Sequence, residues 1–304
     1  MNFKIRLIVV ALIAGFGIQS AVGQRQPKVL LIGLDGVRVD ILKETPTPAI
    51  DALIADGSYN DRARTAEPTV SGPGWSSMLS GVWPDKHGVH DNSFEGAVYD
   101  RFPDFLTRIE RADSTAYTFA VIDWPPLGRT HPGGQLVSDE VDAKVIIDGE
   151  ELGYVEGDMR SVDVAVPMLK NSDVDAAFVY LGNIDVVGHA TSSLDPAYRE
   201  SIIAADEQVG MLVDAVRSRS TYDEEDWLIL MSTDHGRRDD GGHGRLSEEE
   251  RTIFVLVSGN SAAKGAISPA PSIVDVAVTA LVHMGVELDP AWELDGISVA
   301  LVAR

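Results

Sequence analysis

The sequence predicts an α/β fold in which a mainly parallel sheet is covered on both faces by helices. Two observations carry this. Five short apolar runs, rich in branched and aromatic residues, read as strands buried on both faces. Stretches with helical spacing lie between them, and strands alternating with helices give parallel pairing through crossover connections.

The elements follow in chain order. Residues 28–34 (KVLLIGL) form a strand that runs into a loop at Asp35-Gly36. Thr47 and then Pro48 start a helix, with proline at its first position, and Gly57 ends it. Residues 117–122, 176–181, 227–231 and 253–257 are the second to fifth strands. Asp195 caps a helix that opens with Pro196 and carries Ile202, Val209, Leu212, Val213 and Val216 on one face. Residues 271–284 form another helix, apolar on most sides, on which His283 is a packing residue. No repeat, low-complexity tract or long linker interrupts the chain, so residues 24–304 read as one catalytic domain.

Composition narrows the function. A chain of 304 residues with 44% hydrophobic residues can bury a large core. A net charge of -22 argues against binding a nucleic-acid polymer, which needs a basic face. It leaves room for a small anionic substrate, because bound cations invert the local field. Lys4 and Arg6 precede an apolar run at residues 7–18, and the small residues Ser20, Ala21 and Gly23 follow. This reads as a cleaved signal peptide over residues 1–23, too short an apolar run for a spanning helix. The expected location is therefore periplasmic or secreted, with no membrane contact after cleavage. The chain has no cysteine, so export brings no disulfides.

In folds of this type, loops at the carboxyl ends of the strands carry the site. Asp35 follows the first strand; Asp185 and His189 follow the third; Asp234 and His235 follow the fourth, and His243 comes soon after. Six carboxylate and imidazole groups thus sit in strand-end loops. A catalytic zinc uses three protein ligands and keeps a position open, so six suit two ions that clamp the attacking and leaving oxygens of a phosphoryl displacement. Each group also has a plainer reading: Asp35-Gly36 as a turn, Asp185 and His189 as a solvated helix pair, His243 as a loop tip.

Ser71 precedes Gly72-Pro73-Gly74 and a helix expected over residues 75–79. There it is either a nucleophile near a helix N-terminus that favours an anion, or merely a cap. Arg38 and Lys86 read as loop surface charge. Trp75, Trp83 and Trp124 are packing residues or platforms for a base.

Together these motifs resemble the alkaline phosphatase superfamily, and most closely its nucleotide pyrophosphatase/phosphodiesterase (type I phosphodiesterase) branch. The matching segments are LDGVRVD at 34–40, the stretch 68–92, IDWPP at 122–126, IDVVGH at 184–189, and STDHG with GGHG at 232–244. The resemblance implies a mixed sheet between helices and two divalent metal ions, most often zinc. It implies that Asp185, His189 and His243 hold one ion and that Asp35, Ser71, Asp234 and His235 hold the other. It also implies that Ser71 forms a phosphoseryl intermediate on a small phosphate ester, with Asn92 and backbone N–H groups on the non-bridging oxygens.

Two departures bear on specificity. The branch most often has threonine in a Thr-x-Pro-Asn context, whereas here Ser71-Gly72-Pro73-Gly74 stands, with the serine of the phosphatases proper. The short spacing from His235 to His243 leaves no room for a large cap, so the site is expected to be open. Among rivals, a sulfatase needs Cys or Ser followed by x-Pro-x-Arg, and Trp75 occupies the arginine position. A phosphomonoesterase or phosphonate hydrolase would use the same site, although no arginine near Ser71 in the sequence is available to clamp a dianion. A non-catalytic binding protein would lack a ligand, and all seven expected positions hold competent side chains.

Overall fold

A computed structural model describes residues 25–302. The expected signal peptide, residues 1–23, lies outside them. Among the described residues, eight strands form one mixed sheet: β1 (Gln26–Leu34), β2 (Gly57–Arg64), β3 (Thr118–Ile122), β4 (Ala143–Ile146), β5 (Ala176–Leu181), β6 (Glu225–Ser232), β7 (Thr252–Gly259) and β8 (Gly265–Ala266). Their order is β4-β3-β5-β1-β6-β7-β2-β8. Pairing is parallel from β4 to β6, and β7 runs antiparallel to both β6 and β2.

Alternate residues of β1 supply the two cores. Val29 and Leu31 face one, with helices Ser71–Ser80, Phe105–Ala112 and Asp275–His283; Leu30, Ile32 and Leu34 face the other, with helices Pro48–Asp56, Tyr154–Asn171 and Pro196–Arg217. A strand buried on both faces must be apolar at every position, which is why residues 29–34 read as a continuous run. The expected fold class is therefore the observed one, a mixed and mainly parallel sheet sandwiched between helices.

Some element bounds differ from expectation. Gly57 does cap the helix Pro48–Asp56, but it also opens β2, whose sequence GSYNDRAR is polar and whose pairing with β7 shifts between Asn60 and Ala63. The C-terminal helix begins at Asp275 rather than 271, because Ser272 N donates to the Asp275 carboxylate at 2.8 Å and closes a turn ahead of it. Asp195 caps its helix as expected, accepting from Ala197 N. Among the described residues, no helix is long and apolar enough to cross a membrane.

Candidate metal centre

The carboxyl ends of β1, β5 and β6 lie side by side, and the loops leaving them bring the candidate side chains together. Asp35 directly follows β1. Its Oδ2 accepts hydrogen bonds from Trp75 Nε1 at 2.9 Å and Tyr180 Oη at 2.6 Å, while its Oδ1 is buried without a partner. Trp75 can reach it because residue 33 is glycine: a Cβ there would overlap the indole. Asp234 repeats the pattern. Its Oδ1 accepts from Gly36 N at 3.1 Å, and its Oδ2 is buried and unpartnered.

Both orphan oxygens face one nitrogen. His235 Nε2 lies 3.7 Å from Asp35 Oδ1, 3.3 Å from Asp234 Oδ2 and 3.2 Å from Ser71 Oγ. Its Nδ1 sits 2.9 Å from the Gly236 carbonyl, so Nδ1 carries the proton and Nε2 presents a lone pair. His243 follows the same logic: its Nδ1 donates to the Thr69 carbonyl at 2.8 Å, and its ring stacks on that of His235 with centroids 3.8 Å apart. Its Nε2 lies 2.8 Å from His189 Nε2 and 3.6 Å from Asp185 Oδ1. Asp185 and His189 share one face of the helix Asn183–Ala190, with His189 Nε2 3.4 Å from Asp185 Oδ2.

Two groups could each hold a cation, with ligand atoms within 4.8 Å of one another: Asp185, His189 and His243, and Asp35, Asp185 and His235. Asp185 therefore lies within reach of both positions, whereas the resemblance assigns it to the first alone.

The electrostatics follow from burial. Asp35 is pushed up to about 7 by burial and then by the negative charge of Asp185, against the hydrogen bonds from Tyr180 and Trp75. Asp234 is raised well above the carboxylate range by burial and by Asp35 and Asp185. His235 is held well below the usual imidazole value by burial and by the neighbouring His243 and Arg237.

Ser71 is the first residue of the helix Ser71–Ser80 rather than a residue ahead of it, so the helix starts earlier than the glycines suggest. The N-cap is Val70, and no side chain caps that end, which removes the reading of Ser71 as a cap. Asn92 is exposed, and its Oδ1 accepts from Gly72 N at 2.7 Å. That bond uses up one backbone N–H expected to face an oxyanion and turns the Asn92 amide nitrogen into the free donor.

Several residues depart from their sequence reading. Arg38 is buried, not surface charge; it binds the Asp40 carboxylate, Ser193 Oγ and Asp239. Trp75 is fully buried and holds Asp35 rather than a base, and Trp83 and Trp124 pack partly against the core. His283 is a buried packing residue, as expected. Arg237, absent from the sequence reading, lies fully buried against Asp185, Gly36 and Gly241.

The fold belongs to the alkaline phosphatase-like class. Its solved neighbours include an inactive variant of murine ectonucleotide pyrophosphatase/phosphodiesterase 5 in complex with AMP (TM-score 0.66, 12% identity, covering 87% of this chain and 96% of that one). They also include a 2-O GAG sulfatase (TM-score 0.68, 14% identity, covering 90% and 73%). At that identity the likeness concerns the fold alone. Within the class, the type I phosphodiesterase / nucleotide pyrophosphatase model matches residues 29–240, and the chain belongs to that family. Human ectonucleotide pyrophosphatase/phosphodiesterase family member 7 is 25% identical over 236 residues, which cover 73% of this chain and 50% of that protein. The chain thus spans about half the length of that relative.

Proposed function

We propose that this protein hydrolyses phosphodiesters of the nucleotide type, with Ser71 as nucleophile and two divalent cations, zinc by preference, as cofactors. The observation that carries the reading is the gathering of Asp35 Oδ1, Asp234 Oδ2 and Ser71 Oγ around the His235 Nε2 lone pair, each within 3.7 Å of it. With both carboxylates charged, these buried atoms repel one another unless a cation lies among them; without one, burial and mutual repulsion drive the carboxylates to hold protons. Two carboxylates, an imidazole and a hydroxyl are also the donor set of a borderline divalent ion. Asp35, Ser71, Asp234 and His235 would hold one cation, and Asp185, His189 and His243 the other. The carbonyls behind the Nδ1 atoms of His235 and His243 fix tautomer and ring orientation, as the partners of metal-binding histidines do. When bound, the cations lower the pKa of Ser71 and offset charge on the reacting oxygens.

Ser71 attacks phosphorus in line from the helix N-terminus, the leaving alcohol departs, and water then releases a monoester from the phosphoseryl group. The exposed Asn92 amide donates to a non-bridging oxygen and steadies the charge that develops there. Diesters are favoured over dianionic monoesters because Arg237, the guanidinium within the site, is fully buried and gives its donors to Gly36, Gly241 and Asp185. Trp75 speaks against the sulfatase reading, since it is buried on Asp35 where a sulfatase carries arginine. Export to the periplasm or beyond remains the reading of residues 1–23.

The test compares bis(p-nitrophenyl) phosphate with p-nitrophenyl phosphate on the purified mature chain, before and after chelation and with zinc restored. A chelator-sensitive preference for the diester supports the reading. A preference for the monoester moves the chain to the phosphatases with the same site, and activity on neither in the zinc-loaded protein overturns it.

A further inference from the structure

Arg237 is the charged group of the centre that touches no candidate substrate position. Its side chain is wholly inaccessible. Nε donates to the Gly36 carbonyl at 2.9 Å, one terminal nitrogen to the Gly241 carbonyl and the other to Asp185 Oδ1. Its guanidinium lies 5.5 Å from the Tyr198 ring, and the Tyr198 hydroxyl donates to the same Gly36 carbonyl at 2.7 Å. The slot is shaped for it: a Cβ at Gly36 or Gly188 would strike the guanidinium. Each anchor is itself a candidate ligand or stands close to one. Gly36 adjoins Asp35, Gly241 is two residues from His243, and Asp185 is shared between the two cation positions.

We propose that Arg237 is a positioning residue that commits Asp185 to the cation held with His189 and His243. This rests on the two-cation reading above. A carboxylate within reach of two positions can swing between them. One nitrogen of the guanidinium fork takes Oδ1, which it holds 3.6 Å from His243 Nε2, and leaves Oδ2, the oxygen 3.4 Å from His189 Nε2, as the free ligand atom on the same side. The same fork ties together the loops that leave β1, β5 and β6. A planar fork with fixed donor directions can do this; an ammonium cannot. The fork also costs something electrostatically, because a fixed positive charge beside the ligands weakens dication binding. Positioning and charge therefore predict opposite signs when Arg237 is removed.

The experiment measures zinc stoichiometry and affinity by competition with a chromophoric chelator, on the wild-type mature chain and on Arg237→Met, Arg237→Lys and Arg237→Ala. The wild type is expected to bind two ions. In Arg237→Met and Arg237→Lys one ion is expected to bind about 10- to 100-fold more weakly, the scale on which partners behind metal ligands act, while the other is unchanged. Millimolar guanidinium is expected to restore the weak ion in Arg237→Ala, a rescue that a role in folding would not give. Arg237→Lys keeps charge and bulk should the other variants fold poorly. Two ions bound by the variants as tightly as, or more tightly than, by the wild type overturn this inference alone. A wild-type chain that binds no zinc overturns the two-cation reading and this inference with it.

Discussion

Ser71 Oγ lies 3.2 Å from Nε2 of His235, the contact a serine makes with its general base in a hydrolase triad. The surroundings exclude that role. In a triad a carboxylate stands behind Nδ1 and makes the imidazole more basic; here Nδ1 meets the Gly236 carbonyl, and Asp35 and Asp234 crowd the Nε2 side. Burial, His243 and Arg237 hold His235 neutral. A neutral imidazole whose lone pair shares its space with two carboxylates fits the ligand role proposed for it better than that of a base.

Ser71→Ala is expected to lower turnover of bis(p-nitrophenyl) phosphate by at least about 10³-fold, within the range seen when a nucleophile is removed. The fold and the zinc content are expected to persist, because Ser71 caps no helix and is one of four atoms proposed to hold its cation. Acid quench of the wild type during turnover, followed by mass spectrometry, is expected to find phosphate on Ser71. Wild-type turnover in Ser71→Ala would sink the assignment.

His243 probes the second of the two proposed cations. Its ring is fixed between the Thr69 carbonyl and the His235 ring, so Nε2 has one direction in which to bind. His243→Ala is expected to lose one zinc ion of two and nearly all activity. Unchanged metal stoichiometry would remove His243 from the ligand set.

Much of this centre is legible in the sequence, because a carboxylate or imidazole directly after an apolar run marks the end of a buried strand. Asp35 stands directly after β1, Asp234 and His235 just beyond β6, and Asp185 in the first turn of the helix that follows β5. What holds them is far less legible. Tyr180 lies inside an apolar run and Trp75 inside a helix, so nothing in their spacing says that both donate to Asp35. Arg38 and Arg237 look like loop charge until the fold buries them among carboxylates and carbonyls. The polar strand β2 carries too little apolar alternation to be seen, and Gly157 and Pro167 break the helical pattern of Tyr154–Asn171. The candidate ligands are set by local position, whereas their supports are set by which elements meet.

Removing the cations should make stability depend on pH through Asp35. Its pKa is about 7 in the fold, against an ordinary 3.8, so between those values the folded state holds a proton that the unfolded chain has released. Folding stability of the metal-free protein is therefore greatest below 3.8 from this group and is lost as pH rises to about 7. Metal-free Asp35→Asn is expected to show a flatter fall in Tm over that window. Excess zinc should reverse the order and make the wild type more stable than Asp35→Asn near pH 8. Parallel curves for the two metal-free proteins would contradict the assignment.

Far from the site, Glu225 should control stability in acid. Burial alone would raise its pKa, but two 2.7 Å bonds from Arg219, with further donors from Trp227 and Thr221, hold it at about 2. Arg219 also donates to the Leu169 and Ser172 carbonyls, so the pair ties the start of β6 to the end of the helix Tyr154–Asn171. Glu225→Gln leaves a buried guanidinium with only the exposed Asp173 carboxylate at 4.0 Å as counter-charge and is expected to cost about 3 kcal/mol at pH 7. Because the folded pKa is depressed, this stabilisation is complete above the ordinary 4.5 and drains away as pH falls to about 2. Urea denaturation of both proteins at pH 7, 4 and 3 is the check. The gap between them should be widest at pH 7 and narrow through the acid window, while zinc binding per folded molecule at pH 7 is the same for both proteins. A gap of constant size would mean that the glutamate contributes packing rather than charge.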